Sequence, residues 1–270
     1  MKLTDSHTHS EFSPDSRMRM EQAVSQAIAA GLGGVIITDH LDIRAPKGDD
    51  SFLFDPLEQQ KKVELLNSLH PIEVLKGIEV GMQLHTMAEV KSFVARHKFD
   101  QIIASVHFVD GIDPYYGEYY VGKDQDTAYG RYLETIYLCI QEYTDFDILG
   151  HYDYITRYAP FTERIIHHSK FGDILDQIFR FLIQNGKALE INTNTYRKKN
   201  GTIPVLDTAV LKRYKELGGE AISLGSDAHD PERIGEKFDH FTEVIRSCGF
   251  RYITHYKNRE AQFTKIHLHR

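Results

Sequence analysis

The feature that most limits what this chain can fold into is an alternation. Short apolar runs suited to strands are followed, seven times over, by longer stretches with apolar residues at helical spacing. The first run is MKLTDSHTH. After it Met20, Ala23, Val24, Ala27 and Ile28 recur on one helix face, and Gly31 ends the pattern where a helix terminus is expected. GGVIITDH at 33–40 is apolar almost throughout, as suits a strand covered on both faces of a parallel sheet. The pattern continues with a helix from Asp55 to Leu69, a strand at 72–81, a helix at 87–98 and a strand at 101–109. It then gives a helix at 125–143, a strand at 148–155, a helix around 171–185 and a strand at 187–196. A helix at 204–217, a strand at 220–229 and a helix at 232–247 follow, before a short strand FRYITHY and a polar tail.

Alternation of this kind builds a parallel α/β sheet. With seven units in 270 residues, the expectation is one domain over 1–270, closed or nearly closed into a TIM-like barrel, with the last strand and polar tail over residues 250–270. No internal repeat, low-complexity segment or break in composition marks a second domain. Barrels of this type carry their functional residues at the C-terminal ends of the strands.

The polar residues at those ends are unusual in kind. In an extended strand, side chains two apart share a face, so Asp5, His7 and His9 line one side of the first. Asp15 lies six residues beyond His9. Asp39-His40 closes the second strand, Glu79 lies near the end of the third, and His107 closes the fourth. His151 lies in the fifth, and Asp227 and His229 finish the seventh. Each has a plainer reading alone: Asp15 a turn or cap residue, Glu79 a strand-end carboxylate, His151 a hydrogen-bonded core histidine, Asp227 and His229 a cap for the following helix. Together they place six of the fifteen histidines at strand ends, which packing does not require. Nitrogen and oxygen donors without thiolate suit zinc, manganese or iron. Nine such residues exceed what one ion takes, so two to three divalent ions are expected. Asp39 is expected to orient His40 from behind, with Asp5 in a similar supporting place. The other nine histidines (70, 85, 97, 167, 168, 240, 255, 267 and 269) read as solvated surface.

On these residues the chain resembles the polymerase and histidinol phosphatase (PHP) family of metal-dependent phosphoesterases. The resemblance covers nearly the whole chain and rests on DSHTHS with Asp15, ITDH at 37–40, GIEVG at 77–81, SVH at 105–107, GHYD at 150–153 and GSDAH at 225–229. Length, motif order and the lack of a polymerase module are similar to the stand-alone histidinol-phosphate phosphatases of that family. The resemblance implies a distorted (β/α)7 barrel with a trinuclear centre at the strand C-termini. By motif, His7, His9, Glu79 and Asp227 would hold a first metal. Glu79 would be shared with a second, completed by His107 and His151, and Asp15, His40 and His229 would hold a third. Some relatives carry a histidine where this chain has Asp15. The implied reaction is hydrolysis of L-histidinol phosphate to L-histidinol and phosphate by a hydroxide bridging the first two metals, a step of histidine biosynthesis.

Phosphate recognition would fall to Arg157 and Arg197, since a guanidinium offers a fork of fixed donors. Arg197 also belongs to the run RKK, which could be a solvated charge patch. Arg44, Lys47 and Arg233 are further basic candidates. Tyrosines 115, 116, 119 and 120 could form a lid or pack their own loop, and Asp42, Asp113, Glu118 and Asp153 could meet an ammonium group.

A net charge of -7 argues against a general nucleic-acid binder, which shows a basic face. No apolar run approaches a membrane span, and MKLTDSHTHS lacks the apolar region of a signal peptide. Cys139 and Cys248 fall in expected helices and read as small buried thiols of a reducing compartment. The expectation is a cytoplasmic enzyme whose partner is a small-molecule phosphate ester, not nucleic acid or membrane. Three alternatives remain at this level: a PHP-type nucleotide phosphoesterase or exonuclease, an amidohydrolase, and a metal-binding regulatory domain without turnover. An amidohydrolase would usually bridge its metals with a carboxylated lysine, where this chain offers Glu79.

Overall fold

Strands form where the apolar runs lie. The computed structural model describes residues 2–46, 52–199 and 201–266. In it β1 (Thr4–Thr8), β2 (Gly34–Ile37), β4 (Glu73–Gly81), β5 (Gln101–Ser105), β6 (Ile148–Leu149), β7 (Ala188–Asn192) and β8 (Ile222–Gly225) pair in that order, each parallel to the next. A two-residue strand, β3 (His40–Leu41), pairs separately with β4. The two ends of the sheet meet: Thr8 bridges Ala228, the Asp227 amide donates to the His7 carbonyl at 2.7 Å, and the His9 amide donates to the Ala228 carbonyl at 2.9 Å. The result is a nearly closed barrel of seven parallel strands, as the alternation predicts.

Helices α1 (Met20–Ala29), α2 (Pro56–Leu69), α3 (Met87–Val94), α4 (Gln125–Glu142), α5 (His168–Gln184), α6 (Thr208–Glu216) and α7 (Phe238–Ser247) flank it. Three starts are set by aspartate caps. Asp55 accepts from the Leu57 amide with Pro56 at the first helical position, Asp124 accepts from Thr127, and Asp207 from Ala209. The cap at Asp207 explains why α6 starts later than the pattern at 204–217 suggests. The expected helix at 232–247 splits into a single turn at Pro231–Arg233 and α7, because Gly235 and Lys237 take positive φ between them. The apolar faces bury in layers, with Met20, Val24, Val35, Val63 and Val74 around α1 and α2 and a larger cluster under α3 to α7.

Most strands stop short of their expected ends, the later ones by the most. The runs 101–109, 148–155, 187–196 and 220–229 include polar residues that leave the ladder for other partners. His151, for example, lies past β6 in a turn, and its amide donates to Glu190 instead of a neighbouring strand. Asp227 lies past β8 with φ of 50°, a backbone no strand uses. The tail is also not merely polar. β9 (Tyr252–Lys257) turns through Asn258 and Arg259, both at positive φ, into an antiparallel partner β10 (Glu260–Lys265). His255 is buried on this hairpin, not solvated, while His267 and His269 lie outside the described residues. Cys139 (in α4) and Cys248 (just past α7) are buried free thiols. Among the described residues no helix is long and apolar enough to cross a membrane.

Candidate metal centre

The nine candidate residues arrive at one rim from different strand ends. β1 carries His7, with His9 just past it, β4 carries Glu79, and the turn after β8 carries Asp227. There His7 Nε2 lies 3.3 Å and His9 Nε2 3.5 Å from Glu79 Oε2, and Asp227 Oδ1 lies 3.2 Å from His9 Nε2 and 3.8 Å from His7 Nε2. The other oxygen, Glu79 Oε1, is 3.2 Å from His107 Nε2 and 2.9 Å from His151 Nε2. Farther out, Asp15 Oδ2 is 3.1 Å from His229 Nε2 and 3.5 Å from His40 Nε2. These separations suit shared cations. Two donors about 2.0–2.2 Å from a tetrahedral ion stand about 3.3–3.6 Å apart.

What lies behind the imidazoles decides how they face. His7 Nδ1 is 2.7 Å from Glu190 and His107 Nδ1 is 2.9 Å from Asp42, carboxylates that can only accept. His229 Nδ1 is 3.1 Å from the Asp227 carbonyl, and His9 Nδ1 is 3.1 Å from the Ser13 hydroxyl. With Nδ1 engaged, Nε2 is the atom each ring turns to the common space. Among the described residues, His7 Nε2, His9 Nε2 and Glu79 Oε2 are buried there without a hydrogen-bond partner. Buried polar atoms are normally satisfied, so converging unsatisfied donors of this type fit divalent metal ions. The compact donor groups are His7, His9 and Glu79, then Glu79, His107 and His151, then His9, His40 and His229, and His40, Asp42 and His107, with the His9 ring stacked on His40 at 4.1 Å and on His229 at 4.2 Å.

Electrostatics keep the carboxylates ionised. Burial would raise Glu79, but His7, His107 and His40 hold it well below the usual carboxylate range. Asp227 is likewise held low against its burial, chiefly by Arg157 and His7. Backbone fit matters too. A Cβ at Gly225, in GSDAH, would overlap His7 and come within 2.6 Å of Glu190, so only glycine lets β8 close on β1 at this point.

Several expected roles change. Asp39 does not orient the His40 ring. Its carboxylate accepts from the Ser10 amide and hydroxyl, from Ser13 and from Gln59, and through Ser13 it supports His9 instead. Asp5 turns to the backbone, accepting from the Ser226 and Gly235 amides, and thereby fixes the turn that carries Asp227. Asp42 is committed to His107 and Asp153 to Thr195 and Tyr196, so neither is free for an ammonium group. Glu118 is exposed, whereas Asp113 lies on the cavity wall. Tyr119 and Tyr120 are buried, with hydroxyls on the Ala128 and Ile155 carbonyls, while Tyr115 and Tyr116 line the cavity. Glu190 is the supporting residue that pattern reading misses. Its signal is a carboxylate inside an otherwise apolar parallel strand.

The cavity over the rim measures about 570 Å³. Arg157 and Arg197 both line it. Arg157 is buried, donating Nε to Thr195 at 3.0 Å and Nη1 to Asp227 at 2.8 Å, with Nη2 unpartnered. Arg197 donates Nη1 to Asn194 at 3.0 Å and pairs with Glu236 at 2.6 Å. Of the weaker basic candidates, Arg233 reaches the cavity, Arg44 pairs with Glu89 on the surface, and Lys47 lies outside the described residues.

Comparison with known proteins gives a consistent set. The PHP domain family matches residues 5–194. A histidinol-phosphatase from Lactococcus lactis is 33% identical over 93% of this chain and 93% of its own. A Clostridium acetobutylicum protein named "Probable histidinol-phosphatase" is 32% identical over 92% of this chain and 94% of its own. The crystal structure of the Lactococcus lactis histidinol phosphate phosphatase, complexed with zinc, L-histidinol and phosphate, superposes with a TM-score of 0.88 at 31% identity, covering 97% of this chain and 99% of that one.

Proposed function

The chain belongs to the PHP domain family, and on that premise we propose that it is a metal-dependent phosphomonoesterase that hydrolyses L-histidinol phosphate to L-histidinol and phosphate. The observation that carries the reading is that, among the described residues, buried His7 Nε2, His9 Nε2 and Glu79 Oε2 have no hydrogen-bond partner, with the Nδ1 atoms of His7 and of neighbouring His107 tied to carboxylates and Arg157 Nη2 unused beside them. His7, His9, Glu79 and Asp227 would hold one ion, Glu79 with His107 and His151 a second, and Asp15, His40 and His229 a third. Divalent ions bound there, zinc, manganese or iron, would supply a water of lowered pKa and neutralise the phosphoryl oxygens.

The chain's own residues do the rest. Arg157, fixed by Thr195 and Asp227, keeps Nη2 for a phosphoryl oxygen, and Arg197 adds a second guanidinium to the cavity wall. Of the four acidic residues considered for an ammonium group, Asp113 is the one on the wall not committed to a histidine, and it would meet that end of the substrate. Two free buried thiols suit a reducing compartment, and we assign the enzyme to the cytoplasm.

Metal analysis and steady-state kinetics test the reading together. The purified protein should hold two to three transition-metal ions per chain. Its kcat/KM for histidinol phosphate should exceed that for nucleotide monophosphates and aryl phosphates by about a hundredfold, or about 2.7 kcal/mol. A folded sample that is active without metal removes the mechanism. Equal turnover of nucleotides keeps the metal site and removes the substrate.

A further inference from the structure

An alkyl phosphate leaves as an alkoxide and needs a proton, which none of the residues assigned so far supplies. Building on the phosphatase reading, we propose that Lys199, seated on Tyr158, is the general acid that protonates the departing alcohol. Both residues line the cavity over the metal-site rim. The Lys199 ammonium donates to the Tyr158 hydroxyl at 3.0 Å and stands 4.3 Å from the centre of that ring. The Tyr158 ring meets Tyr154 edge-on at 5.5 Å, and Tyr154 in turn packs 5.1 Å from His151 and 5.7 Å from His107. The lysine therefore stands outward of the metal ligands, on the wall of the cavity that opens over them. Its backbone is fixed as well. Arg164 Nη1 donates to the carbonyls of both Arg157 and Lys199, and Lys199 forms a two-bond bridge with Thr202.

The other wall residues are poorer donors. Guanidiniums do not release protons in proteins. Burial pushes the Asp113 carboxyl up, but this group accepts from the Tyr115 amide and is the one placed to meet the substrate's ammonium group. Lys198 is exposed to solvent. Lys199, by contrast, is pushed down to about 8 by burial and by the positive charges of Arg157, Arg197 and Arg233, against the opposing pull of Asp227. An acid of that strength holds its proton at neutral pH and can still give it up.

In the step, the bond between phosphorus and the alcohol oxygen breaks as the attacking water oxygen bonds to phosphorus. The electron pair goes to the alcohol oxygen, which takes a proton from Lys199 Nζ. The proton given up by the attacking water passes to solvent, and the neutral amine regains one from solvent at the cavity mouth, so the cycle closes without net change in the lysine. Tyr158 is a positioning residue that holds the amine in place.

The test compares histidinol phosphate with p-nitrophenyl phosphate, whose phenolate leaves without a proton. Lys199→Met should lower kcat on histidinol phosphate by about a hundredfold or more while leaving kcat on the aryl ester and inhibition by inorganic phosphate within about threefold. The fall of wild-type kcat on histidinol phosphate as pH rises through about 8 should disappear in this variant. Lys199→Arg, which keeps the charge but not the acidity, should not restore turnover, and Tyr158→Phe should shift the alkaline limb. Equal losses on both esters, weaker phosphate inhibition, or rescue by Lys199→Arg would make the residue a phosphate-binding charge and overturn the assignment alone. A wild-type enzyme that turns over neither ester overturns the phosphatase reading and the proton donor with it.

Discussion

The two ends of the barrel handle buried charge in opposite ways. At the N-terminal end the hairpin of β9 and β10 lies across the strand starts and pairs charged groups there. Arg259 donates to Asp147 at 2.6 Å and to Asp145 at 2.9 Å, and Asp147 also accepts from the Ile102 amide. Gln101 donates to the Ser6 carbonyl and accepts from the Tyr256 amide, and Asp100 accepts from the Asn258 and Lys76 amides. At the C-terminal end, buried atoms of His7, His9 and Glu79 have no hydrogen-bond partner among the described residues and face one another. A buried group left unsatisfied costs about 1–3 kcal/mol, more if charged. One end therefore closes the fold, and the other carries a cost that makes sense only if something else binds there.

The strongest way to break this contrast is Glu79→Gln, which keeps the shape and removes the charge shared by two of the donor sets. We expect turnover to fall by about a thousandfold or more, equivalent to about 4 kcal/mol, with metal content reduced by elemental analysis and the circular dichroism spectrum retained. Near-normal turnover would mean that Glu79 is an ordinary buried carboxylate and that the rim is not organised around it.

Glu190→Gln sharpens the same contrast from one layer back. Glu190 accepts from the His151 amide and fixes His7 through Nδ1, so one substitution disturbs two neighbouring sites. Loss of such a supporting carboxylate typically costs about 10–100-fold in metal affinity or activity. Titration of the metal-free protein with zinc, followed by kinetics, reads both. An unchanged affinity would show that β1 alone orients His7.

The two ends also differ in how far the amino-acid sequence reveals them. The barrel is legible because alternation of apolar strands and amphipathic helices is a periodic signal, and the rim is legible because histidines at strand ends answer to no packing need. Asp39 was open to misreading for a physical reason. Adjacency to His40 suggests a partnership, yet successive side chains of an extended chain point to opposite faces, so its partners are Ser10, Ser13 and Gln59. Asp42 and Glu190 find their histidines 65 and 183 residues away, the first through pairing of neighbouring strands and the second only because the sheet closes. The hairpin was hidden because its second strand, EAQFTK, has one face in solvent and lacks the apolar run that marks the barrel strands.

Arg259→Ala should have the smallest effect on catalysis and gives the cleanest separation of the two ends. It removes the partner of Asp147, which is buried at the start of β6, far along the barrel from the rim. We expect kcat/KM within about twofold of wild type, and a loss of stability of about 2 kcal/mol, read as a Tm lower by about 4–8 °C. The sign of its pH dependence follows from Asp147. Burial already raises that carboxyl, against the opposing charge of Arg259, and removing the guanidinium raises it further. A carboxyl raised in the folded state favours folding when protonated, so that contribution is present at low pH and lost as pH rises through the folded value. The deficit of the variant should accordingly be largest at neutral pH and shrink on acidification. If turnover instead fell in step with stability, the hairpin would be positioning the rim through the strands, and the two ends would have to be treated as one device.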